Sequence, residues 1–368
     1  MKITYVLEYF PPHIGGVETL FDNLTRGVAR YHDVDVFTMA VPGAPAIERT
    51  GRRTVRRVHA RSRHAFITKF PAAAKLVRNA DIIHTTTFVA AGTAWWANLL
   101  VKKPLVLTFH ESWGRRFFEV QPPHKAVVNY VLESLIRKLY RNSAIVTPSE
   151  YSRNTLIGHG IPGRNIRVIS HGIDHGIFNT SVQPLARFDF PTYLFFGRAG
   201  ISKGLEYLLD AVPFVVKAVP NAKLLLMVSR DRDYRRVAGK IRALVSAGMA
   251  IELEPRTSAQ EVASAIRSAD VVCVPSISEG FGFSAVEAQA CGVPVVASDA
   301  GSLPEVVEGG VLVEPRNPKK LAQGIVRLLK DESLRKRLGE RGARHVKRYT
   351  WEACVREHLK LYKEVVKG

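Results

Sequence analysis

The sequence predicts an α/β protein of two doubly wound, Rossmann-like domains facing a central cleft. Three observations predict it. The chain has 368 residues, more than a single hydrophobic core usually spans. Short apolar runs such as Leu105-Val106-Leu107 and Val271-Val272-Cys273-Val274 have the composition of strands covered on both faces. Such runs alternate with amphipathic stretches in two successive series, separated near residues 175–190 by a segment with Asn179 and Pro184. The expected division is 1–175, 176–350, and a terminal helix over 351–368 that packs back on the first domain.

In the first series, residues 3–7 form a strand and Pro11-Pro12-His13-Ile14-Gly15-Gly16 a turn. A helix follows over 17–31, with Val17, Leu20, Phe21, Leu24 and Val28 on one stripe. Strand, glycine pair and helix is the general form of a phosphate or sugar cradle, although the third glycine of the dinucleotide fingerprint is missing. Residues 34–38 are a second strand and 54–60 an extended piece of an arginine-rich segment. Residues 80–84 form a further strand, followed by an apolar helix carrying Ala91, Ala94, Trp95 and Leu99. The strand over 104–109 ends at His110-Glu111. Ligands of open α/β sheets bind beyond the C-terminal ends of strands, so His110 is placed for function.

Ser112-Trp113-Gly114-Arg115-Arg116-Phe117-Phe118 interleaves aromatics with arginines. It reads either as a mobile loop touching acceptor or membrane, or as a loop whose rings pack back on the domain. A helix over 125–141, a strand over 144–148, a helix from Tyr151 and a strand over 166–169 complete the series.

The second series has strands over 192–196, 223–228 and 250–253, one at Val271, and others over 293–297 and 311–313. Helices begin near Gly204, Tyr234, Ala259 and Ala285. Helices over 318–330, 332–348 and from Thr350 close the chain, with Trp351 and Tyr362 as anchors of the last.

Two turns of this series carry chemistry. Gly197-Arg198-Ala199-Gly200-Ile201-Ser202-Lys203-Gly204 places two cations between a strand end and a helix start, which suits a diphosphate. Glu279-Gly280-Phe281-Gly282-Phe283-Ser284 leads into a helix that contains Glu287. One glutamate near a helix start is explained by the dipole alone. Two, with Gly-Phe-Gly between them, suit a polyhydroxylated ligand.

Composition bounds the rest. No apolar run reaches the ~20 residues a spanning helix needs, and the N-terminus reads as a first strand rather than a signal peptide. Three cysteines show neither metal spacing nor a disulfide framework, which fits a reducing, cytoplasmic setting. The net charge is +20, and residues 1–180 hold 24 Lys+Arg against 12 Asp+Glu. The densest part is Arg49, Arg52, Arg53, Arg56, Arg57, Arg61 and Arg63, with only Glu48 opposing in sequence. It reads as a solvated basic hairpin or as a peripheral contact with an anionic membrane at its inner face. Nucleic acid is not expected, because no binding motif accompanies the charge. Two Asp-x-Asp pairs, Asp33/Asp35 and Asp231/Asp233, are read as structural, and no metal is expected.

Taken together and in this order, the Gly15-Gly16 loop, His110, Gly172-Ile173-Asp174, Arg198, Lys203-Gly204 and Glu279-Gly280-Phe281-Gly282 through Glu287-Ala288 resemble retaining glycosyltransferase family four. This is the group 1 glycosyl transferases of GT-B architecture. The resemblance covers about the whole chain, and the Glu-x7-Glu element is its most specific part. It implies a nucleotide-diphosphate sugar as donor, with a UDP- or GDP-sugar expected, no cofactor, and a hydroxyl acceptor on a lipid or glycan. It implies that Glu279 lies by the donor sugar hydroxyls and that Glu287 binds the ribose. Arg198 and Lys203 would hold the diphosphate. Backbone around Gly280, Phe281, Gly282, Phe283 and Ser284 would meet sugar and phosphate. In the substrate-binding Gly15-Gly16 loop, Gly16 would let the first domain close on the diphosphate, and His110 would contact the sugar. His171 departs from the family, which often has Asn there.

No carboxylate stands as a covalent nucleophile, so front-face substitution with retention is the expected chemistry. Base choice falls to contacts near Glu254-Pro255-Arg256. The alternatives are a sugar-nucleotide 2-epimerase or phosphorylase of the same architecture, and a non-catalytic nucleotide-sugar or nucleic-acid-binding protein.

Overall fold

The computed structural model describes residues 1–13, 15–230, 233–255 and 258–367. The chain divides into two compact units, Met1–Gly172 with the C-terminal segment from Trp351, and Ile173–Thr350.

The first unit runs β1 (Lys2–Val6), α1 (Gly16–Ala29), β2 (Asp33–Met39), β3 (Ile47–Thr50), β4 (Arg53–Val58), α2 (Phe70–Val77), β5 (Ile82–Thr86), α3 (Val89–Val101) and β6 (Leu105–Thr108). It continues with α4 (Phe117–Val120), α5 (Pro123–Leu139), β7 (Ala144–Thr147), α6 (Glu150–Gly158) and β8 (Ile166–Val168). Its sheet has the order β3-β4-β2-β1-β5-β6-β7-β8, parallel except for the β3–β4 pair. Alternation along each strand fills both faces. Ile3, Tyr5, Val34 and Val36 join one apolar cluster, while Val6, Phe37 and Met39 join the other. A strand buried on both faces needs this near-continuous apolar composition.

The second unit runs β9 (Thr192–Arg198), α7 (Leu205–Ala218), β10 (Lys223–Ser229), α8 (Tyr234–Ser246), β11 (Ala250–Glu252), α9 (Ala259–Arg267) and β12 (Val271–Val274). Then follow α10 (Phe283–Ala290), β13 (Val295–Ser298), α11 (Leu303–Val306), β14 (Gly310–Val313), α12 (Pro318–Lys330) and α13 (Glu332–His345). All six strands are parallel, in the order β11-β10-β9-β12-β13-β14. By order of appearance this is the doubly wound 3-2-1-4-5-6 arrangement. Leu224, Leu226 and Val228 pack on one face, and Leu225 and Met227 on the other.

The last helix, α14 (Trp351–Lys367), belongs to the first unit. Its Cys354, Val355, Leu361 and Tyr362 are buried in the cluster that holds Ile3 and Tyr5. Burying a Leu or Val side chain contributes roughly 1.5–3 kcal/mol, so this stripe alone holds the helix. The Tyr362 hydroxyl adds polar contacts, 2.6 Å from His84 Nδ1 and 3.0 Å from the Tyr5 hydroxyl.

Three features depart from the sequence expectation. Helix α2 had no counterpart in it, because two turns opened by Pro71 give too short a pattern to register as periodic. The segment over 175–190 is strapped to α9: Leu185 N–H donates to Ser264 O at 2.9 Å and Ala186 N–H to Ser268 Oγ at 3.0 Å. The arginine-rich segment is largely neutralised by carboxylates, four of them outside the segment in sequence. Arg53 reaches Asp22 at 2.7 Å and Arg52 reaches Asp33 at 3.0 Å. Arg56 meets Asp35 at 3.4 Å, Arg57 meets Glu48 at 2.9 Å, and Arg63 meets Glu8 at 2.5 Å. Arg53 and Arg57 are themselves buried. The segment therefore carries far less uncompensated charge than its composition suggests.

Candidate active site

In the second unit the winding reverses between β9 and β12. Loops leaving the C-terminal ends of two such strands diverge and leave a crevice. The β9 loop carries Arg198 and Lys203, and the β12 loop carries Glu279 and the glycines that open α10. The two loops are tied together by Ile277 N–H donating to Ser202 O at 2.8 Å. Gly204, at φ 65°, lies so close to the end of β12 that a Cβ would stand 2.0 Å from Pro275 O. Only glycine fits that approach.

Glu279 is fixed from several directions. Lys203 Nζ lies 2.6 Å from its Oε1, and Ser276 Oγ donates to the same oxygen at 2.8 Å. Its carbonyl accepts from Ser302 N–H at 3.0 Å. Gly301, at φ 62°, packs against its backbone, where a Cβ would come within 2.5 Å. The side chain of Glu279 is 11% exposed and that of Lys203 34%. The ammonium therefore keeps donors toward solvent while it holds the carboxylate.

Arg198 ends β9 with its side chain exposed, and among the described residues it has no carboxylate partner. Helix α10 starts from Gly282 at φ 90°. Its first bonds run from Ala285 and Val286 N–H to Gly282 O. The amides of Phe283 and Ser284 therefore come before the helical ladder, at the positive end of the dipole. Glu287 sits on the second turn, and burial pushes its carboxyl up to about 7 against the downward pull of Lys203. Among the described residues its carboxylate has no hydrogen-bond partner. Phe281 is a packing residue, edge-on to Phe283 at 5.1 Å and to Tyr349 at 5.4 Å within the core. Any ligand contact there falls to its backbone.

In the first unit, Gly15 precedes α1 in extended conformation, and Gly16 is the first residue of the helix. Glu18, in the first turn, lies 2.8 Å from His13 Nδ1, and the His13 ring stacks on Tyr9 at 4.3 Å. His110 follows β6, with Nε2 2.9 Å from Thr86 Oγ1. Burial lowers its pKa to about 4, so at neutral pH the ring is an uncharged hydrogen-bonding group.

The loop after His110 is anchored by Glu133, which accepts from Trp113 N–H at 2.8 Å, Gly114 N–H at 2.9 Å and Ser112 Oγ at 2.9 Å. Trp113 stacks on Phe117 at 5.9 Å, and the Arg116 guanidinium lies 5.2 Å over the Trp113 ring. Of the two readings of this loop, packing back holds for Trp113 and Phe117, and Phe118 stays exposed.

Four contributors escaped sequence reasoning: Ser276, the Gly301-Ser302 turn, Thr86 and Glu133. The Gly-Ser turn after the strand over 293–297 and the Thr85-Thr86-Thr87 run at the end of β5 were usable signals. Glu133 gave none, because it sits mid-helix 19 residues from Gly114, a contact made by folding.

Of the two Asp-x-Asp pairs, Asp33 binds Arg52, and Asp35 binds Arg56 and Lys2. Asp231 and Arg256 lie outside the described residues. Among the described residues no group of three or more His, Cys, Asp or Glu is placed to hold a metal ion.

Residues 14–176 match the model of Glycosyltransferase Family 4, and residues 179–345 that of Glycosyl transferases group 1. The chain is 32% identical over 312 residues to a D-inositol 3-phosphate glycosyltransferase of Segniliparus rotundus, covering 78% of this chain and 67% of that protein. It is 29% identical to an uncharacterized glycosyltransferase of Methanocaldococcus jannaschii, covering 99% and 98%. A sucrose-phosphate synthase structure from Thermosynechococcus elongatus superposes with a TM-score of 0.84 at 22% identity, covering 99% and 98% of the two chains.

Proposed function

The chain belongs to glycosyltransferase family 4, retaining enzymes that draw on nucleotide-sugar donors, and from that premise we propose that it moves a hexosyl group from a UDP- or GDP-sugar to a hydroxyl acceptor by metal-independent front-face substitution. The observation that carries this reading is the pair of linked turns at the β9/β12 switch point. They hold an unpaired Arg198, a Lys203–Glu279 pair, and a desolvated Glu287 without a partner.

Transfer breaks the bond between the anomeric carbon and the diphosphate oxygen, and that bond's electron pair leaves with the diphosphate. Arg198, Lys203 and the α10 amides stabilise the developing charge there. Each charge-assisted contact is worth about 1.5–3 kcal/mol. Glu279, oriented by Lys203 and Ser276, accepts hydrogen bonds from the sugar hydroxyls. Glu287 accepts from the ribose. The acceptor hydroxyl attacks the face the diphosphate leaves, and its proton passes to the departing phosphate oxygen. His110, uncharged at neutral pH, contributes a hydrogen bond to the sugar rather than a fixed charge.

The acceptor is a polyol, a glycan or a lipid-linked hydroxyl. A relative named for D-inositol 3-phosphate supports the polyol class. The carboxylates of Asp33 and Asp35 are committed to arginine and lysine, which supports transfer without a divalent ion.

A thermal-shift panel of UDP-, GDP- and ADP-sugars tests the donor, since a ligand that binds the folded state raises its melting point. A UDP- or GDP-sugar is expected to raise it most, and no shift with any of them contradicts the reading. Turnover of the sugar nucleotide without an acceptor, or only with added phosphate, identifies an epimerase or a phosphorylase instead. Abolished transfer in EDTA overturns the metal-independent part.

A further inference from the structure

Helix α5 is amphipathic in the inverted sense. Its sheet-facing side buries Ala126, Glu133 and Ile136. Its outward side, where a surface helix normally places charge, carries Val127, Val128, Val131, Leu132 and Leu135, exposed by 48, 53, 54, 38 and 49%. Val128, Val131 and Leu135 follow i, i+3, i+7 spacing and so form one stripe. Phe118, 49% exposed, stands beside it, its ring 6.0 Å from Tyr130 of the same helix. Single exposed apolar residues are ordinary, but a contiguous set on one face marks an interaction surface.

The surroundings choose the partner. Residues 112–142 hold six Lys+Arg against two Asp+Glu. One of those two acids, Glu133, is buried and paired with Arg137. Lys125, Lys138 and Arg141 are exposed at the ends of the stripe. An apolar stripe with cationic ends fits a surface that is apolar beneath and anionic on top. A second copy of the chain, at +20, would bring cations against cations.

We propose that the outward face of α5, extended by Phe118, docks onto an anionic lipid bilayer with the helix lying in the plane of the headgroups. The arginine-rich segment is not the contact, because five of its seven guanidinium groups already face carboxylates. The proposal stands on this surface alone, and vesicle binding is read without any sugar transfer.

The test is co-sedimentation of the full chain with vesicles of phosphatidylcholine, alone or mixed with phosphatidylglycerol. The wild type is expected to bind the mixed vesicles and to be released by salt. Val131→Asp with Leu135→Asp should lower binding by about tenfold or more, with an unchanged melting point because both side chains are exposed. Val131→Ser with Leu135→Ser should weaken binding in the same direction without adding charge. Arg49→Gln with Arg61→Gln should leave it unchanged. Three results would overturn the proposal. They are wild-type binding to neither vesicle, binding that survives both α5 variants, and a concentration-dependent dimer that the α5 variants abolish.

Discussion

Two polar clusters in this chain are built from similar groups and end in opposite states. In the first unit, His84 is fully buried with both ring nitrogens taken, by the Tyr362 hydroxyl at 2.6 Å and by Thr108 Oγ1 at 2.7 Å. In the second unit, Arg198 and Glu287 have no partner among the described residues, and Lys203 keeps part of its ammonium in solvent. A closed cluster spends its hydrogen bonds on the fold, while an open one keeps them for a ligand. Buried groups left unmatched are costly, so the open cluster persists beyond the C-terminal ends of the central strands β9 and β12, where loops rather than strands supply the groups.

The largest expected effect comes from the buried histidines of the first unit. Burial lowers the pKa of His84, His110, His171 and His358, the second and fourth to about 4. The unfolded chain binds protons at these rings near the ordinary 6.5, the folded chain does not, and stability must fall as pH drops below about 6.5. Each such histidine contributes about 1.4 kcal/mol per pH unit in that window. Denaturant unfolding at pH 7 and pH 5 measures the difference, and equal stability contradicts the burial of these rings.

Next comes the open side. Arg198→Ala with Lys203→Ala should lower kcat/KM by about a hundredfold or more, as expected when charge stabilisation of a leaving group is removed. A loss within tenfold breaks the assignment of those cations to the diphosphate. Because Lys203 also holds Glu279, Lys203→Ala and Glu279→Gln should be non-additive in a double-mutant cycle. Independent effects would mean the 2.6 Å pair does not orient the carboxylate.

Tyr362→Phe then sharpens the contrast. It removes the hydroxyl shared by His84 and Tyr5 and should cost about 1–3 kcal/mol of stability with little change in KM.

The smallest effect is in pH dependence. With Glu287 at about 7, a carboxylate that accepts from ribose should bind free nucleotide more tightly as pH rises through that value. Between pH 8 and pH 6 the affinity should fall about tenfold. In Glu287→Gln that dependence should vanish, whereas assigning it to His110, near 4, would place it far lower.

These contrasts also mark what was legible in advance. The two doubly wound series, the switch-point turns and the strand-end position of His110 follow from local pattern: apolar runs, glycines and cations within a few residues of one another. His84 looked like a strand residue and nothing more, because its partners lie 24 and 278 positions away. The neutralisation of the arginines was hidden for the same reason, since Arg53 finds Asp22 from 31 positions off. The exposed stripe of α5 was invisible because periodicity gives the faces of a helix without saying which one meets the sheet.

In the proposed reaction the open cluster divides its labour, with Glu287 serving the nucleotide and Glu279 the sugar. Calorimetric titration of free UDP and GDP into wild type, Glu287→Gln and Glu279→Gln tests it most directly. Glu287→Gln is expected to lose about tenfold or more in affinity for the free nucleotide, while Glu279→Gln retains it and loses affinity only for the sugar nucleotide. Equal loss of free nucleotide in both variants would contradict it.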